Sequence, residues 1–263
     1  MATNPSFDGK MKPLPDGDIS RSGKRVRIEP TSTPQGGAQN YWAMRVQHFA
    51  LFLDISPQDR ALIVGAARER QFTRGQVIYL EGDDVRQVVL LTSGSAKMVQ
   101  CSQNGSAVIL RLCGPGELVG TLGTSMAARY RSTPQALSPS TALVWDSAAF
   151  ESLSKRFPSL RLNVAYILYK HLEDMEDRFR EISTERVAPR LGRQIFRLVE
   201  QVGIRSNGTV DINITREELA QLIGTSLFTV SRLLSEWDRK GIVTTRREGF
   251  SVDNLNALAE LID

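Results

Sequence analysis

The chain has 263 residues, of which 41% are hydrophobic and 24% are charged, and this balance excludes a disordered or fibrous protein. Its formal net charge of +4 is compatible with a polyanionic partner but does not identify one. No apolar run approaches the roughly 20 residues of a membrane span, and the basic N-terminus lacks the apolar segment of a signal peptide. We therefore expect a soluble cytoplasmic protein.

The residue types that carry metal or acid–base chemistry are sparse. Cys101 and Cys113 lack the CxxC spacing of a metal site, and His48 and His171 stand apart from them. We predict no metal site and interpret both histidines as ordinary polar residues. The sequence contains no paired acid and base, no nucleophile with a base and no phosphate-binding loop, so we predict no catalytic residue and no enzyme.

Residues 1–40 form an extension rich in Pro, Gly, Ser and charge. We expect this extension to be disordered, because it cannot bury enough apolar surface to offset the entropy of ordering. Its basic run RSGKRVR, residues 21–27, would attract phosphates without sequence preference, and a plain solvated tail is the alternative. Met44 is a second candidate start of the protein.

Residues 41–70 are predicted to be helical, with a break at Ser56. Ser56 has the character of an N-cap, and Pro57 follows at the first helical position. The apolar residues expected to cluster in the core are Phe49, Leu51, Phe52, Leu53, Leu62, Ile63 and Ala66.

From residue 71 the period changes to short apolar runs separated by turn signals. The runs predict strands at residues 77–80, 88–91, 96–101, 107–112 and 141–145. Regular turns between short strands are typical of a compact antiparallel barrel or sandwich.

An Asn-Gly pair at residues 104–105 predicts a two-residue hairpin turn. That turn would pair Cys101 near Val108 and place Cys113 near Ala96. At ~3.3 Å per residue the two sulfur atoms would lie more than ~10 Å apart, which is too far for a disulfide.

A short helix at residues 148–157 is predicted to end at Pro158, and a long helix follows over residues 159–185. The apolar residues of the long helix follow a heptad register: Ala165, Leu168, Leu172, Met175, Phe179 and Ile182. A helix with so narrow an apolar seam buries it against a copy of itself or against its own domain. We favour a homodimer through residues 159–185 over intramolecular packing.

Residues 214–242 predict two short helices joined by a tight turn. Thr215 and Glu218 have the spacing of a capping box, and Gly224 should form the turn. Ser226 is the predicted N-cap of the second helix. The apolar positions of the two helices are Leu219, Leu222, Ile223, Val230, Leu233, Leu234 and Trp237. The pattern indicates a helix-turn-helix, with an ordinary helical hairpin as the alternative.

The segments that flank this motif extend it. Pro189 is predicted to open a preceding helix, whose apolar face is Leu191, Ile195, Phe196 and Val199. Residues 211–214 predict a short strand, and residues 242–245 and 250–252 predict a hairpin with a basic turn. A hairpin directly after a helix-turn-helix is typical of a winged helix, which weakens the alternative.

The order of these parts resembles the CRP/FNR family of bacterial transcription regulators over about residues 50–255. The motifs that carry the resemblance are FTRGQVI at 72–78, YLEGD at 79–83, PGELVG at 115–120 and the segment 215–241.

The resemblance implies an α+β fold in three parts. These are an N-terminal antiparallel β-roll sensor domain of the cyclic-nucleotide-binding-like, jelly-roll type (41–158), a long dimerisation helix (159–185) and a C-terminal winged helix-turn-helix (186–263). The resemblance also implies a dimer that binds a two-fold symmetric operator in double-stranded DNA, with RNA polymerase as a further partner. A ligand or redox signal held by the β-roll would switch it.

By the same resemblance, six residues would form the effector pocket: Gly120, Thr121, Leu122, Arg131, Ser132 and Met175. Arg131 and Ser132 match the pair that holds a phosphate, and a surface ion pair is the alternative role of Arg131. Thr121 stands where cAMP binders carry a glutamate, and Met175-Glu176 stands where they carry Thr-Ser. These losses of hydrogen-bond partners disfavour cAMP and leave another anionic ligand, or none. The cysteine cluster of an iron–sulfur sensor is absent from the sequence, so that cofactor is disfavoured too.

Eight residues are predicted to contact DNA, with the recognition helix, residues 226–237, in the major groove: Arg216, Ser226, Leu227, Phe228, Thr229, Arg232, Arg246 and Arg247. Family members that read TGTGA half-sites carry Arg-Glu-x-x-x-Arg here, and only Arg232, which suits guanine O6 and N7, matches. Leu227 and Phe228 can offer only apolar contact, for instance to thymine methyl groups, unless they fold back into the domain core. Ser226 and Thr229 suit phosphate contacts.

The leading hypothesis is a sequence-specific DNA-binding regulator. The alternative is a ligand-sensing module with a degenerate helix-turn-helix that acts through protein–protein contacts, and the unusual Leu227-Phe228 pair keeps it open. Salt-sensitive binding to DNA would distinguish the two.

Overall fold

The computed structural model describes residues 36–101, 107–120, 129–206 and 208–262. The predicted hairpin turn at 104–105 and the predicted pocket residues Thr121 and Leu122 lie outside these ranges, as does most of the predicted disordered extension. That extension ends earlier than expected, because the first helix already begins at Gly36.

The α-helices in these ranges are α1 (Gly36–Arg45), α2 (Pro57–Gly65), α3 (Ser147–Arg156), α4 (Pro158–Thr184), α5 (Val187–Gln201), α6 (Arg216–Ile223), α7 (Leu227–Arg239) and α8 (Leu255–Ala259). A 3₁₀ helix covers Ala50–Phe52. The strands are β1 (Arg68–Phe72), β2 (Gln87–Ser93), β3 (Ala96–Cys101), β4 (Ala107–Cys113), β5 (Leu118–Val119), β6 (Thr133–Ala136), β7 (Ser140–Asp146), β8 (Ile204–Ser206), β9 (Thr209–Ile212), β10 (Val243–Arg246) and β11 (Gly249–Val252). No helix in the described ranges is long and apolar enough to cross a membrane.

Strands β1 to β7 form two antiparallel sheets, in the orders β1-β7-β2-β5 and β4-β3-β6. Residues of both sheets share one core, among them Phe72, Val89, Met98, Cys113, Ala136 and Val144. The chain turns from the first sheet to the second at Gly94, which has a φ of 76°. A Cβ there would lie 2.3 Å from the Ser140 Oγ atom, so the close approach of the two strands requires glycine. The predicted antiparallel β-roll is confirmed.

Several local predictions in this domain are wrong. Residues 77–80 are not a strand, and Val77 makes only an isolated bridge to Gln135. Residues 68–70, predicted to be helical, belong to β1, which pairs antiparallel with β7. Strand pairing with a distant segment decides the conformation here, and local propensity does not.

The pairing of β3 with β4 follows the predicted hairpin closely. Cys113 lies opposite Ala96, as predicted, and Cys101 lies opposite Ala107, one residue from the predicted Val108. Cys101 is exposed, Cys113 is buried, and both thiols are free, so the prediction that they form no disulfide is confirmed.

Helices α1, α2 and α3 share a second core with the first sheet. Trp145 of β7 is fully buried, and its indole Nε1 donates a hydrogen bond to the Ile63 carbonyl at 2.7 Å. The predicted N-cap is present, because Ser56 Oγ accepts a hydrogen bond from the Asp59 amide at 3.1 Å. Of the residues expected to lie in the core, Phe49, Leu51, Phe52 and Ile63 are buried, whereas Leu53, Leu62 and Ala66 are exposed.

Helix α4 leaves an unpartnered apolar stripe in the single chain. Its first half contributes Leu160, Val164 and Ile167 to the second core. The heptad residues, which we call the seam, face outward, and the exposed fractions from Leu168 to Phe179 run from 45% to 74%. Over the residues that the structure describes, the seam is therefore only partly covered by its own chain, which contradicts purely intramolecular packing.

A buried ion-pair network joins α4 to α5. The Glu181 side chain is 3% exposed and accepts hydrogen bonds from both terminal nitrogens of Arg197. Arg193 lies 3.6 Å from the same carboxylate through Nε and 3.1 Å from Glu185 through a terminal nitrogen. Helix α5 begins at Val187, so the proline predicted to open it lies inside its first turn. These charged side chains hold the turn between the long helix and the C-terminal domain.

The C-terminal domain is a winged helix. Strands β8 to β11 form one sheet in the order β10-β11-β9-β8, and the predicted apolar faces of α5, α6 and α7 meet in its core. Ile109, Leu112 and Leu137 of the β-roll join this core. Lys97 of β3 also pairs with Glu218 of α6 at 2.6 Å. The two domains of one chain are thus in direct contact.

Candidate nucleic-acid interface and sensor pocket

The N-terminus of α6 has a capping box, in which Thr215 and Glu218 each bind the backbone amide of the other. Thr215 Oγ1 accepts a hydrogen bond from the Glu218 amide at 3.2 Å, and Glu218 Oε2 accepts one from the Thr215 amide at 2.9 Å. Burial would raise the pKa of Glu218, but hydrogen bonds from Lys97 and Thr215 lower it overall. The carboxylate therefore stays ionised, and it both caps α6 and ties that helix to the β-roll.

The turn into α7 also has the predicted geometry. Gly224 ends α6 in the left-handed conformation, with φ 66° and ψ 51°. Ser226 Oγ then accepts a hydrogen bond from the Thr229 amide at 3.1 Å and caps α7. The residues that α7 buries are Val230, Leu233, Leu234 and Trp237. This burial fixes which side of α7 faces out.

The opposite side of α7 is open to solvent. Arg232 lies there, one turn after Phe228, and Ser235 and Arg239 continue the same exposed face. Leu227 is 50% exposed and Phe228 is 78% exposed, so the alternative in which they fold back into the core is wrong. We did not predict Ser235 and Arg239 as interface residues, although their helical spacing from Arg232 was an available signal.

The wing is held against the far end of α7. Asp238 Oδ2 accepts hydrogen bonds from the Thr245 amide at 3.0 Å and from the Thr245 hydroxyl at 2.7 Å. These hydrogen bonds lower the pKa of Asp238. These contacts tie the wing to the C-terminal end of α7.

A cleft of about 480 Å³ separates the wing from the starts of α6 and α7. Its lining includes Arg216, Leu227, Arg246 and Arg247. Arg246 is paired with Asp211 of β9, whereas Arg247 forms no salt bridge with any residue in the described ranges. The remaining predicted contacts do not line the cleft: Ser226 is the N-cap of α7, and Phe228, Thr229 and Arg232 lie on α7 itself. The eight predicted residues thus lie on α6, on α7 with its N-cap, or on the wing, and four of them line the cleft.

An aromatic pair lies beside Gly120 of the candidate sensor pocket. Tyr79 stacks on Tyr130 with ring centroids 3.5 Å apart and an interplanar angle of 14°. A Cβ on Gly120 would lie 1.6 Å from the Tyr79 Oη atom, so this tyrosine packs directly against the backbone of the predicted pocket. The Tyr79 hydroxyl is buried without a hydrogen-bond partner among the described residues, and burial raises its pKa. The sequence reading missed this stacked pair.

The other predicted pocket residues are only partly brought together. Arg131 is exposed and Ser132 is buried, and both lie directly before β6. Within the described ranges no salt bridge involves Arg131, so the alternative surface ion pair is not present there. Met175 lies on α4 and is 62% exposed. It lines a small cavity between β4 and α4, away from Arg131 and Ser132. Over the described residues, no group of three or more His, Cys, Asp or Glu side chains is placed to hold a metal ion.

That small cavity lies between β4 and α4. His171 and Arg178 of α4 meet Arg111 of β4 there, with Glu117 and Asp174 beside them. Burial lowers the pKa of the His171 imidazole from 6.5 to about 4, and the Arg111 guanidinium adds to the shift. His171 is therefore neutral in the folded protein near pH 6.

We expect His171 to make folding sensitive to mild acid. In the unfolded chain its pKa returns to about 6.5, so the unfolded state takes up a proton first as the pH falls. The stabilising contribution is complete above pH 6.5 and is lost as the pH falls toward about 4. Allowing for partial solvent screening, the loss should be about 1–2 kcal/mol.

Urea unfolding between pH 4 and 8 tests this expectation, with His171→Gln as the comparison. The difference in free energy of unfolding between wild type and variant should change across this interval, because Gln does not titrate. A difference that is constant with pH would show that the imidazole titrates normally in the folded state.

Two protein-family models match this chain. A family model described as "Cyclic nucleotide-binding domain" matches residues 69–157. A second, described as "Crp-like helix-turn-helix domain", matches residues 185–261. The two matches coincide with the β-roll and with the winged helix.

Two curated relatives cover most of the chain. The CRP-like cAMP-activated global transcriptional regulator of Mycobacterium tuberculosis is 24% identical over 204 residues, 77% of this chain and 90% of the relative. The fumarate and nitrate reduction regulatory protein of Escherichia coli is 24% identical over 196 residues, 74% of this chain and 78% of the relative.

Solved structures share the fold. FixK2 from Bradyrhizobium japonicum superposes with a TM-score of 0.66 at 17% identity, covering 75% of this chain and 98% of that chain. The c-di-GMP responsive global regulator CLP of Xanthomonas campestris gives 0.65 at 18% identity, covering 76% and 100%.

A β-roll of the cyclic-nucleotide-binding type followed by a long helix and a winged helix-turn-helix defines a class of DNA-binding transcription regulators. The chain belongs to the CRP/FNR family.

Proposed function

We propose that the protein is a homodimeric, sequence-specific DNA-binding regulator that places α7 in the major groove. The observation that carries this proposal is the solvent-exposed face of α7, with Phe228 and Arg232, beside a cleft lined by Arg216, Arg246 and Arg247. Guanidinium groups suit phosphates, and a helix with its N-terminal residues outward suits base edges.

The exposed seam of α4 supports the proposed dimerisation. Two copies joined along their seams would present two recognition helices about 34 Å apart, one turn of DNA, to a roughly palindromic operator. In this scheme residues 41–158 sense, 159–185 dimerise and 186–263 bind DNA. The site of action is the cytoplasm, where genomic DNA and RNA polymerase, a further proposed partner, are found.

The proposed effector is not cAMP, and the dimer works with another small anion or with none. Tyr79, which stacks on Tyr130, occupies the space beside Gly120, so a nucleotide there would have to displace the Tyr79 ring. Arg131 and Ser132 are offered as the phosphate-binding pair. The name of the Mycobacterium tuberculosis relative states cAMP activation for that protein. An iron–sulfur cluster is disfavoured because the sequence lacks the cysteines.

Arg232→Ala tests the role of the recognition helix. Arg232 is the arginine in the first half of α7 and is suited to a bidentate contact with guanine, so its loss should weaken binding to the selected operator about ten-fold or more. Sites are first selected by the wild-type protein from random duplexes, and Kd is then measured by fluorescence anisotropy at fixed salt.

Arg86→Ala removes the same charge from the β-roll and serves as the control. It should bind the operator like wild type, because Arg86 is exposed on the sensor domain, far along the chain from α7. If Arg232→Ala selects the same sites with unchanged affinity, the proposed reading residue is wrong.

The second candidate is a ligand-sensing module that acts through protein contacts, and the exposed Phe228 is the observation that favours it. That candidate predicts no salt-sensitive binding to any duplex in the random library, whereas the leading proposal predicts a steep loss of affinity as salt is raised.

A further inference from the structure

The start of α7 carries two large apolar side chains that the protein's own fold does not cover. Phe228 is 78% exposed and Leu227 is 50% exposed, although the following turn buries Val230 fully. Aromatic and aliphatic side chains gain free energy when water is removed from them, so this pair is suited to an apolar contact outside the domain.

The neighbouring charges indicate which kind of partner provides that contact. Leu227 lines the same cleft as Arg216, Arg246 and Arg247. A partner that covers this site therefore has to meet two demands: it must contact the apolar pair, and it must place groups beside these three guanidinium groups. A DNA duplex satisfies both demands, because its phosphates suit the arginines while its groove offers base edges to α7.

Among the base edges of the major groove, only thymine presents an apolar group, its C5 methyl. The other edges present donors and acceptors that a phenyl or isobutyl group cannot satisfy, and burying them unpaired is unfavourable. We propose that Phe228, flanked by Leu227, contacts the C5 methyl group of a thymine in each half-site of the operator. This inference rests on the proposed function.

The position of that thymine follows from the helix. Phe228 and Arg232 are one turn apart on the exposed face, and four residues rise by ~6 Å along an α-helix. Base pairs are stacked ~3.4 Å apart, so the thymine lies within about two base pairs of the guanine that Arg232 contacts. The half-site therefore contains a thymine and a guanine at this short spacing.

The test uses the full chain and the operator selected as described above. Each thymine of the half-site is replaced in turn by deoxyuridine, which removes the C5 methyl and nothing else. Burial of one methyl group corresponds to about a four-fold change in affinity, and substitution in both half-sites to roughly 10- to 20-fold. Wild-type protein should show this loss at one position near the guanine.

The matched variant is Phe228→Ala, with Leu62→Ala as the control at an exposed leucine of α2. Phe228→Ala should bind the unmodified operator several-fold more weakly and should no longer distinguish thymine from deoxyuridine. Leu62→Ala should keep the wild-type discrimination. Because Phe228 is exposed, its variant should unfold at the wild-type temperature, and circular dichroism checks this.

The outcomes separate this proposal from the proposed function. If no DNA is selected at all, the proposed function fails. If an operator is selected but deoxyuridine has no effect at any position, or affects Phe228→Ala as it affects wild type, the thymine contact is overturned and DNA binding stands. Unchanged operator affinity of Phe228→Ala would also overturn the thymine contact.

Discussion

Replacing Leu172 and Phe179 together by glutamate is expected to convert the protein to a monomer and to lower its operator affinity by about 100-fold or more. The two side chains are 53% and 74% exposed in the single chain. Burying such a side chain contributes about 1.5–3 kcal/mol, so the seam as a whole supplies a large part of the proposed interface. In a symmetric dimer each new carboxylate would also lie near its own copy, which adds repulsion.

Sedimentation equilibrium measures the oligomeric state, and anisotropy measures binding to the operator. Operator affinity falls with the dimer because each monomer then binds one half-site without the effective concentration that the second half-site supplies. The fold of the monomer should survive, since both positions face solvent in the single chain.

Lys170→Glu is the matched control. It changes the net charge by the same amount as the double variant, but Lys170 lies on the side of α4 away from the seam and pairs with Glu173 at 2.8 Å. It should remain dimeric. A double variant that stayed dimeric and bound DNA normally would place the interface on another surface.

Arg197→Ala is expected to destabilise the folded protein by about 3 kcal/mol. Glu181 is 3% exposed, and after the substitution the one ion-pair partner left to its carboxylate among the described residues is the more distant Arg193, at 3.6 Å. Breaking a buried ion pair by removing one partner typically costs about 3–5 kcal/mol, because the remaining charge stays buried. Since this network joins α4 to α5, local loosening between the dimer helix and the DNA-binding domain should accompany the loss.

Urea unfolding measures the change, with Arg180→Ala as the control on the same helix. Arg180 pairs with Asp177, but both side chains are more than half exposed, so that loss should stay below about 1 kcal/mol. Replacing Glu181 and Arg197 together by leucine should restore much of the stability, because no unpaired charge is then left. Equal losses for Arg197→Ala and Arg180→Ala would show that burial of the carboxylate does not matter.

The helix-turn-helix was predictable from sequence in detail. The capping box of Thr215 and Glu218, the left-handed Gly224 and the Ser226 cap each depend on residues within one turn of chain. Local backbone chemistry therefore makes them predictable without knowledge of tertiary contacts. The heptad on α4 was also predictable from sequence, because helical periodicity alone determines which side chains share a face.

The β-roll was less predictable, because its conformation depends on distant partners. Residues 68–70, the first three of β1, are predicted to be helical and become a strand through pairing with β7. The run at 77–80 reads as a strand, yet no regular ladder forms there: Val77 makes an isolated bridge to Gln135, and the Ile78 amide donates a hydrogen bond to the Pro134 carbonyl of β6 at 3.0 Å. Local pattern cannot show which edge of a sheet a segment will meet.

Some features of the candidate sites were likewise predictable from sequence, and others were decided by the tertiary structure. Periodicity and turn chemistry by themselves determined the winged helix, the seam and the identity of the residues on the recognition helix, since all of these act within a few turns. Only the tertiary structure decided that Phe228 stays exposed, that Tyr79 stacks on Tyr130 beside Gly120, and that Lys97 reaches Glu218. Each of these contacts joins residues from separate elements, and their energies depend on packing and burial that arise only when the chain has folded.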